Sequence, residues 1–319
     1  MAGSSGCPFG TALVIANPVA GRADDDLVAE LTELCRPLVP RLRVHWTTCR
    51  GDAIRTAARA AAEGLDLIIA VGGDGTVREV VQGLLTAGSG DDLPTLLIVP
   101  AGTGNSSYLA QWGWAPWQDS VRAALGTEDG RRCLLDLARL VELDSLVLLG
   151  ACSGLIADAL GTARSVPAAG PERYRIAMAR TAAEFVPYPG RVLVDGEVIH
   201  SGPTVLANVG GGRHRGGTYQ VLPRSLLDDG LLDVCVIGGE VEPAAVLDLT
   251  PAGDHLDLPG VVYGRGSRIT VERTDGAPLS FEHDGELCTG TATRMTMQVL
   301  PGVLPVVCRR GIPALAGSG

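Results

Sequence analysis

The stretch from Asp66 to Leu85 constrains the fold more than any other part of the chain. Asp66 to Val71 is a short apolar run that stops at paired glycines, and beyond it Val77, Val80, Val81, Leu84 and Leu85 recur at helical spacing. A buried strand, a glycine-rich turn at its carboxyl end and a helix are therefore predicted. Gly72, Gly73 and Gly75 open backbone conformations closed to other residues and let a ligand approach the main chain. The positive end of the helix that follows favours an anion, most often a phosphate. Asp74 is the unusual residue in such a turn. A carboxylate repels a phosphate unless it holds a divalent cation or takes a proton from an attacking hydroxyl, so the turn points to phosphoryl transfer. The plainer alternative is an ordinary helix start capped by Asp74.

The same alternation recurs on either side. Thr11 to Ala16 is an apolar strand entering the turn Asn17-Pro-Val-Ala-Gly-Arg22, followed by a helix from about Asp24 to Cys35 with Leu27, Leu31 and Leu34 on one face. Arg22 can reach a phosphate or lie at the surface. Arg41 to Thr47 reads as a second strand, and Asp52 as the cap of an alanine-rich helix over Ala53 to Glu63. Thr95 to Val99 is a buried strand leading into Pro100-Ala-Gly-Thr-Gly-Asn105. That loop lacks the third glycine and the downstream acid of a dinucleotide fingerprint, which argues against a Rossmann dehydrogenase. Strands and helices in this order predict an open parallel α/β sheet with its ligand crevice at the strand ends.

From about Asp136 the pattern changes to short β-rich runs: Ser145 to Leu149, Arg191 to Val194 closed by Asp195-Gly196, Thr204 to Val209, Leu232 to Ile237 and Arg268 to Val271. An antiparallel, all-β second domain is expected, with one helical excursion near Tyr174 to Glu184. The loop from Asn208 through Gly217 carries Arg213, His214 and Arg215, which can face phosphates or solvent. Leu226 to Asp233 and His283 to Glu286 are acidic turns, each readable as a hairpin, the first also as a hard-cation site. Gln111 to Trp117 gathers three tryptophans, suited to loop packing or to an apolar lip for a substrate.

Composition narrows the function. At 46% hydrophobic and 19% charged residues, the 319-residue chain reads as globular with room for two domains. No apolar run is long enough to span a bilayer, and Met1 to Gly10 lacks the regions of a secretory leader, so a cytoplasmic location is expected. Every one of the 26 basic residues is arginine, which excludes lysine chemistry, including the Walker-type phosphate loop. The net charge of −10 argues against nucleic acid and against strong attachment to an anionic membrane, leaving room for peripheral contact. Eight singly scattered cysteines form no Cys-x-x-Cys pair, so idle or buried thiols are expected rather than zinc or redox chemistry.

Six motifs in order carry a resemblance: Asn17-Pro-x-Ala-Gly-Arg22, Gly72-Gly-Asp-Gly-Thr76 with Glu79-Val-Val-x-Gly83, Ala101-Gly-Thr-Gly-Asn105, Asp136-Leu, Asp228-Asp-Gly-Leu-Leu-Asp233 and Asp284-Gly-Glu286. Together they resemble the diacylglycerol kinase catalytic-domain family, which includes bacterial lipid kinases, sphingosine kinases and ceramide kinases and is distantly similar to NAD kinases and phosphofructokinases. The resemblance spans about residues 11 to 308. It implies an α/β nucleotide-binding domain with an open parallel sheet over 1–135, an antiparallel β-sandwich substrate domain over 136–300, and a segment 301–319 returning to the first domain.

By matching positions, the resemblance assigns ATP to Asn17, Gly21, Arg22, Thr47, Gly72, Gly73, Asp74, Gly75, Thr76, Gly102, Thr103 and Asn105. It places Asp74 by the catalytic Mg²⁺, Glu286 as proton acceptor, and Leu226, Asp229 and Leu231 at a second, structural Mg²⁺ site that also uses carbonyls. The family usually has asparagine at Arg78, an acid at Ser106 and asparagine near Cys152. Arg78 beside the phosphate loop is accordingly a further candidate phosphate contact or a determinant of substrate choice. The implied activity is ATP-dependent phosphorylation of an alcohol, with diacylglycerol or a sphingoid base as acceptor. A kinase of a soluble hydroxylated metabolite and a nucleotide-binding regulator without turnover are the alternatives, and a homodimer stays open.

Overall fold

The computed structural model describes residues 9–126, 130–215 and 219–309; of Pro171 only the backbone is described. The leader reading up to residue 8, Cys7, Gly216, Gly217 and the tail from residue 310 lie outside the described residues. The chain forms two compact units, one running to Leu135 and resuming at Gly302, the other Asp136–Pro301.

The first unit alternates strands and helices: β1 Thr11–Ala16, α1 Asp25–Cys35, β2 Arg41–Trp46, α2 Asp52–Ala62, β3 Leu67–Gly72, α3 Asp74–Ala87, β4 Thr95–Pro100, α4 Ser106–Trp112 and α5 Trp117–Leu125. Its strands are parallel in the order β2-β1-β3-β4. All six residues of β3 are buried, which explains why it reads as an unbroken apolar run: a central parallel strand is covered on both faces. At the edge, no residue of β2 is buried, and Arg41 and Arg43 place charges there that discourage pairing with another chain. Asp24 caps α1 by accepting the Leu27 N–H at 2.9 Å.

Asp52 is not the cap expected of it. Gly51, at φ 78°, holds the cap position and Asp52 is the first residue of α2. The tryptophans also separate: Trp112 is buried and Trp114 is 75% exposed, so packing holds for the first and not for the second.

The second unit contains the end of β5 Gly130–Leu140, then β6 Ser145–Val147, β7 Gly150–Gly154, α6 Leu155–Ala163, α7 Gly170–Glu184, β8 Tyr188–Val194, β9 Glu197–Gly210, β10 Leu232–Gly238, α8 Val246–Leu249, β11 Val261–Gly266, β12 Arg268–Arg273, β13 Phe281–His283, β14 Glu286–Leu287 and the start of β15 Arg294–Arg309. Within it the pairs are antiparallel and build a β-sandwich. All of β10 is buried. Leu232, Val234 and Val236 enter one core with Val192, Ile269, Phe281 and Met297, while Cys235 and Ile237 enter another with Leu155, Ala182 and Leu206.

Helices α6 and α8 correct the all-β expectation. Gly154, at φ 75°, ends β7 and turns the following apolar residues into a helix. The hairpin at Asp195-Gly196 has both residues at positive φ, as a two-residue turn requires. The acidic segment 226–231 is not a hairpin: it belongs to a long connection between β9 and β10.

The final strand serves both units. Arg294–Gln298 pairs with β12, and Val306 pairs in parallel with Leu96 of β4. Two of the scattered cysteines meet in the first unit, with the Sγ atoms of Cys133 and Cys308 2.6 Å apart.

Candidate active site

In the order β2-β1-β3-β4 the connections run to one side from β1 and to the other from β3, so the crevice of this sheet opens between these two strands. Four turns meet at that carboxyl edge, and hydrogen bonds tie them together. After β1, the Asn17 side chain donates to Thr76 Oγ1 at 3.0 Å and accepts the Val19 N–H. The backbone of Arg22 donates to the Ala101 carbonyl at 3.1 Å, and Thr47 N–H to the Ala16 carbonyl at 2.8 Å. The Arg22 side chain is exposed and that of Arg78 half-buried. Glu79 Oε1 accepts the Gly51 N–H at 3.0 Å, holding the turn after β2 against α3.

The glycine loops after β3 and β4 touch backbone to backbone. A Cβ at Gly102 would stand 2.4 Å from the Cα of Gly73, so neither loop can carry a side chain at the crossing without moving the other. Gly21 and Gly75 behave differently: a Cβ at either would meet nothing within 4 Å. Internal packing does not require those two glycines, and their main chain stands open. Asn105, at φ 50°, folds its amide over its own loop, accepting from Gly102 N and donating to Gly102 O at 2.9 Å each. Thr103 is exposed at the crest.

Asp74 is the first residue of α3, and its carboxylate is turned toward the start of α4. One oxygen accepts the Ser106 N–H at 3.0 Å; the other accepts the Ser107 N–H and Oγ–H at 2.9 Å each. The carboxylate thus caps a second helix rather than its own. The oxygen facing Ser107 already accepts two bonds, so it is the one facing Ser106 that keeps a lone pair, enough for one cation or one proton. Glu79 stands in the second motif with no role read for it, and Ser107 is a contact that the sequence motifs did not single out. A serine pair directly after the glycine loop, at the head of a helix, was the available signal for Ser107.

Asp52, at the start of α2, accepts the Thr48 N–H at 2.9 Å and lies 3.1 Å from His45 Nε2. The Thr48 N–H first, then the His45 ring, lower its pKa from 3.8 to about 2. A depressed carboxyl stabilises the fold above its unfolded value, and the contribution is lost as pH falls through the folded one. Thermal midpoints of the parent and Asp52→Asn should therefore differ most above pH 3.8 and converge toward pH 2. A midpoint difference constant over that window would refute the linkage.

In the second unit, Glu286 is exposed on β14, directly after the two-residue turn Asp284-Gly285 with φ of 48° and 82°. That turn is anchored from below. Asp284 accepts the N–H groups of Leu148 and Leu149 at 2.9 and 2.8 Å and donates its own N–H to the Gly150 carbonyl. Burial pushes its carboxyl up, but His283, these N–H groups and Arg215 outweigh it and leave the pKa lowered. Glu282 accepts the Gly285 N–H at 2.9 Å and forms a buried ion pair with Arg215; burial nonetheless raises its pKa.

The segment 226–233 is held at several points. Asp136 accepts the Gly230 N–H and donates its own N–H to the Leu227 carbonyl, joining two of the sequence motifs. Asp229 accepts the Leu231 N–H at 3.2 Å through one oxygen, and its other oxygen pairs with the Arg265 guanidinium. Arg265 Nε also reaches the fully buried Asp233 at 3.2 Å, and Tyr263 donates to the same Asp233 oxygen at 2.8 Å. Among the described residues no group of three or more His, Cys, Asp or Glu side chains gathers as a metal site, and no helix is long and apolar enough to cross a membrane.

Comparison with known proteins agrees with this architecture. Residues 11–138 match the diacylglycerol kinase catalytic domain family and residues 152–308 the YegS C-terminal NAD kinase beta sandwich-like domain. The chain is 27% identical over 310 residues to proteins named "Probable lipid kinase YegS" from Shigella flexneri and Escherichia coli (strain SMS-3-5 / SECEC), covering 93% of this chain and 95% of each relative. A solved structure from Bacillus anthracis str. Sterne, provisionally named a diacylglycerol kinase, superposes with a TM-score of 0.71 at 25% identity over 96% of this chain and 99% of that one.

Proposed function

Because the chain belongs to the diacylglycerol kinase-like lipid kinase family, we propose that it transfers the γ-phosphoryl group of ATP to a hydroxyl of a lipid-like alcohol of the diacylglycerol or sphingoid type. The family implies a kinase that uses ATP and a divalent metal; the acceptor and the residue roles are our reading. The observation that carries it is the convergence at the β1/β3 crevice of Asn17, the Gly72–Thr76 turn and the Gly102–Asn105 loop around one carboxylate, Asp74.

In this reading the open faces of Gly21 and Gly75 admit the phosphates to the main chain, with Asn17, Thr47, Thr76, Thr103 and Asn105 shaping the rim. Arg22, in the turn after β1, and Arg78, near the start of α3, supply positive charge in a chain without lysine. The remaining lone pair of Asp74, on the oxygen facing Ser106, would hold Mg²⁺, which supplies neutralisation of phosphate charge. Glu286, on a hairpin anchored through Asp284 and Glu282, takes the proton of the acceptor hydroxyl.

Transfer of label from γ-labelled ATP to diacylglycerol or sphingosine in mixed micelles, set beside a panel of soluble alcohols, tests the assignment. Label should appear in a lipid, and Glu286→Gln should reduce it by about 10²–10⁴-fold in protein that is still folded. Label confined to a soluble alcohol would overturn the lipid acceptor, and nucleotide binding with no acceptor-dependent ADP would overturn the kinase itself.

A further inference from the structure

The acidic segment 226–233 is where a second, structural Mg²⁺ is expected by resemblance, and its side chains do not fit one. Each oxygen of the carboxylate that would ligate the ion already accepts one donor, the Leu231 N–H on one and Arg265 on the other, so a divalent cation would have to share that carboxylate with a permanent guanidinium charge. Arg265 comes from β11, 36 positions away in sequence, and its guanidinium spans two carboxylates, Nη2 on Asp229 and Nε on Asp233. Bridging two acidic groups so that the turn and the start of β10 stay together is the task a structural divalent ion performs. A guanidinium does it with directional donors and cannot lose its charge.

We infer that Arg265 is the built-in cation of this turn and that the segment needs no divalent ion. The inference is independent of phosphoryl transfer, since it concerns only how the second unit is held. It also sets the residue type: lysine, a single point charge without the fork, cannot make both contacts.

Thermal unfolding of the full chain without nucleotide, in chelator and in excess Mg²⁺, reads this directly. A structural site at about one hundred times its Kd would raise the midpoint by roughly 5 °C. The parent should move by less than about 1 °C between the two conditions, well below that figure. Arg265→Gln should unfold several degrees lower in chelator and regain part of the loss in Mg²⁺, which can then enter between Asp229 and Asp233. The double variant Arg265→Gln/Asp229→Asn should give up that response.

A Mg²⁺-dependent rise in the parent that Asp229→Asn abolishes would overturn the inference, because ion and guanidinium would then coexist. So would an Arg265→Gln protein as stable in chelator as the parent. If Arg265→Gln fails to fold, the parent and Asp229→Asn measurements still decide the question. Kinase activity enters none of these readouts, so a failed lipid assay leaves the inference standing.

Discussion

Asp74→Asn should lower the single-turnover rate of phosphoryl transfer by about 10³-fold, the scale of losing a charge that acts on the reacting groups. The same substitution disturbs the start of α4, because an amide presents an N–H₂ where one of the two carboxylate oxygens accepts from Ser106 or Ser107. That costs about 1 kcal/mol of stability, the usual value of a lost helix cap. The two effects separate in Ser107→Ala, which removes only the Oγ bond and keeps both backbone contacts. Ser107→Ala should fold as the parent does and lose a small part of the rate. Asp74→Asn retaining near-parental turnover, with the cap penalty visible in its thermal midpoint, would make Asp74 a structural residue only.

Gly102→Ala is expected to be nearly as damaging, by a different route. The added Cβ would stand 2.4 Å from the Cα of Gly73, a backbone atom that cannot rotate aside. Overpacking of this kind costs roughly 1–3 kcal/mol, and here the strain falls on the two loops assigned to the phosphates. Nucleotide affinity should drop by at least about tenfold, the equivalent of 1.4 kcal/mol. Gly73→Ala offers the internal comparison: its Cβ would be 3.1 Å from Gly102 Cα, so the same loops are pressed less and both losses should be smaller. Titration of a fluorescent nucleotide with denaturant unfolding of the three proteins gives both numbers. Equal affinity in all three would remove the nucleotide from this crossing.

Much of the first unit is legible in the sequence because its signals are local. The buried strands over 66–71 and 95–99 announce themselves as apolar runs, and each glycine turn follows directly. What stays hidden is every contact made across the fold. Asp74 reads as a carboxylate for phosphoryl transfer or, more plainly, as the cap of its own helix, and only the packing of α3 beside the loop after β4 brings the head of α4, more than thirty residues on, to its carboxylate.

In the second unit, Leu155–Ala163 falls inside the region read as β-rich from Asp136 onward, although its alanines and leucines favour helix. The left-handed Gly154 that breaks the strand is one glycine among 43. Arg265 is equally silent: on β11 it looks like an ordinary outward strand residue, and its meaning appears only when β11 pairs with β10 and brings it to Asp233.

The parallel pairing of Val306 with Leu96 has a consequence for synthesis. On the ribosome, β4 emerges some two hundred residues before the strand that covers its edge, with the whole β-sandwich translated in between. The half-made protein therefore exposes an apolar parallel edge until the strand carrying Val306 has been made, the kind of surface that recruits chaperones or neighbouring nascent chains. Truncation before residue 302 would fix the molecule permanently in that state, so yield of soluble protein, rather than catalysis, is the property such a truncation would lose first.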